Sequence, residues 1–256
     1  MWLYAVVVGF GAGFLSGQFG IGGGMITAPA IRLLLGGTEL VSIGTPLPVI
    51  IPTTITGVIA YARRGLLDLR AGLTIGAAGL AFSVLGAWLT SLLGGAVALT
   101  VMATLIMWMA FDMLHLALRP EPPVAMTEGQ SKRHDSWLWL GSIGIAAGLS
   151  SGFLGLGGGF VVVPVLVRFL GFEAKRAVGT SLVVVLMLAV PGTITHYLLG
   201  HVDVGLAFCL SLGAIPGAML GARATAGAKE RTARLAFAIM LLSVGGFLAA
   251  NELGWF

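Results

Sequence analysis

Charged residues are scarce in this 256-residue sequence: 9% are Asp, Glu, Lys or Arg, whereas 57% are hydrophobic and the mean hydropathy is +1.02. A water-soluble core could not bury so much apolar surface, so the composition excludes a soluble globular protein and predicts an all-α polytopic membrane protein. The net charge is only +4, without a basic stripe interleaved with aromatic residues. A nucleic-acid partner is therefore not expected.

Cysteine is almost absent, because Cys209 is the single one and lies in an apolar run. One cysteine excludes a disulfide framework and a clustered cysteine metal site, and no cofactor is expected. The sequence also lacks a nucleophile–base set, a Walker sequence and a His-Glu-x-x-His helix, so an enzyme is not expected. Its first residues lack a positively charged segment and a cleavage site, so no removable signal peptide is predicted.

An internal repeat organises what is present. Residues 135 positions apart match without a gap, beginning with Gly9 and Gly144, and the matches include Ser16 with Ser151, Asp68 with Asp203 and Gly86 with Gly221. We interpret the chain as a first repeat over residues 1–118, a polar linker over 119–136 and a second repeat over 137–256. The linker contributes nothing to the predicted fold.

The centre of each repeat is a glycine-rich stretch within an apolar segment, and a proline follows each stretch five residues later. Five glycines in eight residues weaken a helix by roughly 1 kcal/mol each relative to alanine. The helix is therefore predicted to break at both stretches. The glycines of the predicted breaks are Gly20, Gly22, Gly23 and Gly24 before Pro29, and Gly155, Gly157, Gly158 and Gly159 before Pro164; Gly17 and Gly152 are the fifth glycine of each stretch.

Each repeat contains four apolar segments, of which the last three approach the roughly 20 residues that cross a bilayer. The first segment, about 32 residues, is too long for one crossing and too short for two at about 1.5 Å per residue. The predicted segments are 4–35, 43–62, 71–93 and 96–118, then 137–170, 177–199, 204–224 and 232–250.

The basic residues select between two topologies. If every segment crosses once, the Lys and Arg side chains fall on both sides, against the positive-inside rule. If the first segment of each repeat instead folds back at its glycines, all of the 14 Lys and Arg except Arg32 fall on one side. This hairpin topology predicts three crossings per repeat, opposite orientations of the two repeats, a cytoplasmic linker and external termini.

Inverted repeats with broken helices are typical of secondary transporters, whose binding sites lie where the broken helices meet. A helix that restarts after the glycines would present free N–H groups and a positive dipole end to a small anion. The alternative is that the glycines only permit close helix crossing.

Several polar residues are further candidates. Thr45, Thr180 and Ser181 begin the helices that follow the hairpins and could bind a ligand oxygen or cap the helix. His196 could carry a proton or bind an anion, or could be an interfacial residue beside a polar turn. Asp68 and Asp203 are expected to be N-caps. Asp112 is expected to pair with His115 on one helix face.

These residues resemble those of the TauE/SafE sulfite exporter family: two copies of Gly-x-Gly-Gly-Gly followed by proline, each trailed by Gly-Thr, in a duplicated chain. The resemblance covers nearly the whole sequence. It implies transport of sulfite or of small organosulfur anions such as sulfoacetate across a bacterial plasma membrane. It carries a binding role to the glycines of both stretches and to Thr45 and Thr180, although Pro46 stands where the second copy has Ser181.

We therefore expect a secondary transporter, most simply an exporter, that binds a small oxyanion between the two glycine hairpins and works by alternating access. Its partners would be the anion, a proton or cation as coupling ion, and the lipid bilayer of the bacterial inner membrane. A channel-like permease for small anions, carboxylates or neutral solutes would use the same hairpins. A non-transport receptor is disfavoured, because the long soluble domains expected of a sensor are absent.

Overall fold

The fold was obtained as a computed structural model that describes residues 2–118, residues 137–224 and isolated positions between 239 and 250. Every regular element in the described part is a helix. In chain order the helices of the first repeat are α1 (Trp2–Phe19), α2 (Gly24–Leu33), α3 (Glu39–Gly44), α4 (Pro46–Ala62), α5 (Leu69–Leu93) and α6 (Gly95–Leu118). Those of the second are α7 (Trp137–Leu154), α8 (Gly159–Leu170), α9 (Ala174–Leu198) and α10 (Val204–Ala224).

The predicted apolar segments correspond closely to these helices, and both predicted helix breaks occur at the glycines. The linker and nearly all of the last predicted segment, 232–250, lie outside the described residues. Seven helical spans in the described part are long and apolar enough to cross a membrane, counting α3 and α4 as one. They include α1 and α7, the first arms of the two broken segments, which at 18 residues each are longer than the second arms.

The chain reverses direction at each glycine stretch. In the first repeat, Ala5 near the start of α1 and Ile31 near the end of α2 belong to one buried cluster, together with Leu206 of α10. In the second, Leu140 of α7 and Leu170 of α8 share another cluster. The two arms of each broken segment therefore share one buried cluster.

Two pairs of parallel helices flank the centre, and small residues allow both pairs to approach closely. Gly9, Gly13 and Gly17 of α1 face Leu210, Ala214 and Ala218 of α10 in that order. The second pair repeats the arrangement, with Gly144, Gly148 and Gly152 of α7 against Ile75, Gly79 and Ser83 of α5. Such stripes of small residues are the usual basis of helix association in membranes. Each pair joins one helix from each repeat.

The central pair, α4 and α9, is antiparallel. Tyr61 near the end of α4 approaches Gly179 near the start of α9, whereas Leu47 near the start of α4 approaches Gly192. These two helices are the most deeply buried of the candidate spans. Each repeat thus contributes one helix to this most deeply buried pair.

Helix caps and ion pairs complete the fold. The side chains of Asp68 and Asp203 accept hydrogen bonds from Ala71 N at 3.0 Å and Leu206 N at 2.9 Å, so the prediction that both are N-caps is confirmed. The sequence led us to expect His115 as the partner of Asp112. The Asp112 carboxylate instead accepts two hydrogen bonds from Arg168 of α8, at 2.6 and 2.7 Å.

Candidate functional site

The two glycine stretches meet at the centre of the molecule. We call residues 20–23 the first glycine turn and residues 155–158 the second. A Cβ atom placed on Gly24 would lie 2.7 Å from the carbonyl oxygen of Gly155, and one placed on Gly159 would lie 2.5 Å from that of Gly20. The first residue of α2 thus contacts the second turn, and the first residue of α8 contacts the first turn.

Each turn depends on a left-handed backbone that side chains rarely adopt. The glycines at matching positions have nearly the same angles: φ is 71° at Gly20, 83° at Gly22, 79° at Gly23, 67° at Gly155, 80° at Gly157 and 75° at Gly158. Gly23 and Gly158 are also the N-cap residues of α2 and α8, without a side-chain cap. The first N–H groups of both helices therefore lie in the turns rather than beneath a capping side chain.

Apolar side chains fill the space beside the turns. A Cβ atom on Gly22 would lie 2.8 Å from Val185 Cγ1 and 3.4 Å from Ile50 Cγ2, and one on Gly157 would lie 2.9 Å from Val185 Cγ1. Ile50 and Val185 are matching residues of the two repeats and are both buried. The close approach that the sequence offered as an alternative role for the glycines is therefore present in this conformation.

The electrostatic character of the site comes from the backbone. No Asp, Glu, Lys or Arg occurs in residues 9–31 or 140–167. The N-terminal ends of α2 and α8 both carry the positive end of a helix dipole into this uncharged region. Within the described residues, no cluster of three or more His, Cys, Asp or Glu side chains could hold a metal ion. The arrangement suits an anion more than a cation.

Thr45 and Thr180 lie at opposite ends of the α4–α9 interface. The Thr45 hydroxyl oxygen accepts a hydrogen bond from the backbone N–H of Asp203 at 3.0 Å. The Thr180 hydroxyl accepts the equivalent bond from Asp68 N, also at 3.0 Å. Each fully buried threonine thereby joins its own repeat to the other one. We call these contacts the two threonine latches.

Ser181 is the predicted hydroxyl residue that does reach a glycine turn. Its Oγ donates to the carbonyl oxygen of Gly20 at 3.0 Å and to Val178 O at 2.8 Å. The matching residue in the first repeat is Pro46, which has no hydroxyl. The side chain of Ser181 therefore fixes the first turn from the second repeat, and this contact is asymmetric.

His196 is buried and contacts the end of α7, the helix that leads into the second glycine turn. Its Nε2 atom is 2.8 Å from the carbonyl oxygen of Gly152, and its Nδ1 atom is 3.1 Å from His201 Nδ1. Tyr61, its counterpart in the first repeat, donates from its hydroxyl to the carbonyl oxygen of Gly17 at 3.2 Å. The two side chains therefore contact carbonyl oxygens at matching positions of the two repeats. The sequence did not predict this shared contact, because histidine and tyrosine differ in chemistry.

Sequence reasoning did not single out Ser16 and Ser151 as site residues, although it paired them as repeat partners. Both are buried on the helices that lead into the glycine turns. The available signal was a serine four residues before the first glycine of each turn.

Comparison with known proteins identifies the family. The profile of the family described as Sulfite exporter TauE/SafE matches residues 5–248. The chain belongs to this family. It is accordingly a multi-pass membrane transporter and not an enzyme, as the sequence predicted.

Relatives of this TauE/SafE protein align over nearly their full length. "Probable membrane transporter protein YunE" of Bacillus subtilis (strain 168) is 28% identical over 258 residues, which cover 94% of each chain. A "Probable membrane transporter protein" of Methanocaldococcus jannaschii is 25% identical over 263 residues, covering 95% of this chain and 93% of the relative. YdhB of B. subtilis is 28% identical over 225 residues, covering 86% and 89%. No solved structure matches the chain.

Proposed function

We propose that this TauE/SafE protein is a secondary transporter that exports a small sulfur-containing oxyanion, such as sulfite or an organosulfonate, across the bacterial inner membrane. The anion binds between the two glycine turns, and access alternates between the two faces of the membrane. The observation that carries the proposal is the meeting of the two turns, each of which contacts the first residue of the opposite half-helix. The profile match to sulfite exporters supports the class of substrate.

The proposal includes an inverted topology, in which the two repeats have opposite orientations and each broken segment is a re-entrant hairpin. The antiparallel packing of α4 and α9 supports opposite orientations. The Asp112–Arg168 pair supports re-entry, because the end of α8 lies beside the last part of α6, close to the linker from which α7 begins. With the linker 119–136 cytoplasmic, the positive-inside rule is satisfied and both termini are external.

The binding mode follows from the uncharged surroundings of the turns. Backbone N–H groups at the starts of α2 and α8 bind the anion from two sides, assisted by both helix dipoles. A buried Arg or Lys is then unnecessary, which matches the absence of charge from residues 9–31 and 140–167. Because atoms of the opposite turn and of Val185 fill the space next to the glycines, the anion enters only when the turns part.

The threonine latches provide the two gates of this mechanism. The Thr180–Asp68 latch lies on the cytoplasmic side in the proposed topology, and Arg176 reinforces it with an ion pair to Asp68 at 2.9 Å. The Thr45–Asp203 latch lies on the external side, where Val41 replaces the arginine. Since each latch joins the two repeats, access from a given face requires the latch on that face to open.

A coupling ion belongs to the same proposal. His196 is the candidate proton carrier, because its imidazole contacts both the carbonyl of Gly152 and the ring of His201. His201 in turn lies in the short connection between α9 and α10. Proton exchange between the two rings would allow His196 to gain or lose a proton at the external face.

Counterflow of radiolabelled sulfite in liposomes tests the function. Liposomes containing purified protein and preloaded with unlabelled sulfite should accumulate the label transiently and saturably, as a carrier requires. Liposomes without the protein are the control. Linear, non-saturating flux without counterflow would indicate a channel instead, and an absence of flux with sulfite, sulfate, thiosulfate, sulfonates and small carboxylates would contradict transport of a small anion.

A further inference from the structure

Two buried hydroxyls beside the glycine turns lack a hydrogen-bond partner. Among the described residues, the buried side-chain polar atoms without a partner are Ser16 Oγ, Ser151 Oγ and Thr193 Oγ1. Ser16 is 1% exposed and Ser151 is 0% exposed. The two serines are 135 residues apart, so they occupy the same position in each repeat. An unsatisfied buried donor is unfavourable, and its occurrence at both positions calls for a functional reason.

The other serines of α7 show the hydrogen bond that a serine hydroxyl normally makes within a helix. Ser150, adjacent to Ser151, donates to the carbonyl oxygen of Ala146 at 2.8 Å, and Ser142 donates to Trp139 O at 2.9 Å. Bonding to a carbonyl three or four residues earlier is available to any serine within a helix. The hydroxyls of Ser16 and Ser151 lack such a bond.

Both serines lie on the helix face against which the glycine turn packs. A Cβ atom placed on Gly23 would lie 3.4 Å from Ser16 Cβ and 3.3 Å from the carbonyl oxygen of Ala12. In the second repeat, the carbonyl oxygen of Ala147 lies 2.6 Å from the Cβ position of Gly158, and Ser151 follows Ala147 by one helical turn. Gly23 and Gly158 are the N-caps of α2 and α8. The Ser16 side chain thus lies beside the start of α2, and Ser151 occupies the matching position on the helix that packs against the start of α8.

We propose that Ser16 and Ser151 are the side-chain donors of the anion site, each acting with the free N–H groups at the start of the adjacent half-helix. This assignment rests on the proposed function and identifies the ligand more closely. Hydroxyl and backbone donors that approach from two sides match an oxyanion with three or four oxygen atoms around one centre. Neutral donors also allow such an anion to leave again, because they hold it less strongly than a buried Lys or Arg would.

Anion binding by serine variants in detergent tests the assignment. Sulfite and methanesulfonate are the probes, and the rise in melting temperature with probe concentration gives an apparent Kd. Ser16→Ala and Ser151→Ala should each raise the Kd about tenfold or more, since each removes one hydrogen bond to a charged group. Both variants should fold with unchanged or higher melting temperature without anion, because each also removes an unsatisfied buried donor. Ser150→Ala is the matched control and should keep the wild-type Kd.

The possible results separate the two levels of the proposal. Wild-type Kd values in Ser16→Ala, Ser151→Ala and the double variant, with clear binding by the wild type, would overturn the serine assignment and leave the transporter function standing. Loss of melting temperature in both variants without any change in Kd would show that the hydroxyls are structural, which also overturns it. No response of the wild-type protein to either probe would contradict the oxyanion function itself. Ser16→Cys provides a second variant of similar size and should show the same weakened binding.

Discussion

Substituting Gly24 by alanine tests whether the two glycine turns must touch. Gly24 has an ordinary helical backbone, so alanine adds no strain in φ. Its Cβ atom would nevertheless lie 2.7 Å from the Gly155 carbonyl oxygen and 2.8 Å from Leu156 Cα, whereas ordinary contacts begin at 3.4 Å. The turns must therefore separate by about 0.7 Å, and overpacking of this kind costs about 1–3 kcal/mol.

Gly11 in α1 is the matched control, because a Cβ atom there would meet nothing within 4 Å. Gly11→Ala should stabilise the protein by up to about 1 kcal/mol through helix propensity. The two alanine variants should therefore differ by about 1–4 kcal/mol in free energy of unfolding. In the second repeat, Gly159→Ala and Gly141→Ala form the same pair of variant and control.

Equilibrium unfolding of the purified variants in mixed micelles, followed by circular dichroism, gives the stability difference. Sulfite counterflow measured on the same samples gives the functional effect. Gly24→Ala should lose most of its transport, and Gly11→Ala should keep it. Equal stability and equal counterflow in the two variants would refute the requirement for contact between the turns.

Three further predictions concern polar contacts around the site. Tyr61→Phe removes one hydroxyl and should lower the free energy of unfolding by about 1 kcal/mol. His196→Phe should lower it more, by about 2 kcal/mol, because this substitution leaves both Gly152 O and His201 without their hydrogen-bond partner. Thermal unfolding measures both losses, and equal losses would contradict this prediction. Burial lowers the pKa of His201, so the unfolded chain binds a proton more readily and stability should fall as the pH drops below about 6.5. His201→Gln should reduce that fall between pH 7 and pH 5, and an unchanged pH profile would disprove the contribution of this group. Asp112→Asn should lower the free energy of unfolding by less than about 1 kcal/mol, because Arg168 is 43% exposed and ion pairs at the surface contribute little. A larger loss, measured by chemical unfolding, would show instead that the pair anchors α8.

The sequence predicted the helices and their breaks because both depend on local properties. The length of apolar segments predicts a span, and the glycines at 20–24 and 155–159 exclude a continuous helix. The N-caps Asp68 and Asp203 were predictable for the same reason. The repeat in the sequence also anticipated which residues occupy equivalent positions.

Contacts between the repeats could not be predicted, because they depend on how two helices far apart in sequence are oriented. A ligand role for Thr45 and Thr180 stays a prediction, whereas the hydrogen bonds that both hydroxyls accept from backbone N–H groups of the opposite repeat were not expected. The partnership of Asp112 with Arg168 was missed for the same reason. The unpaired state of Ser16 and Ser151 is visible only when every neighbouring carbonyl has been placed.

Cross-linking the two threonine latches tests alternating access most directly. In a Cys209→Ala background, one variant carries Thr180→Cys with Asp68→Cys, and the other carries Thr45→Cys with Asp203→Cys. Sulfite counterflow is measured before and after oxidation, and the reduced state of each variant is its own control. We predict that either disulfide alone abolishes counterflow and that reduction restores it. Undiminished counterflow with either latch cross-linked would contradict a mechanism in which the two repeats part at each face in turn.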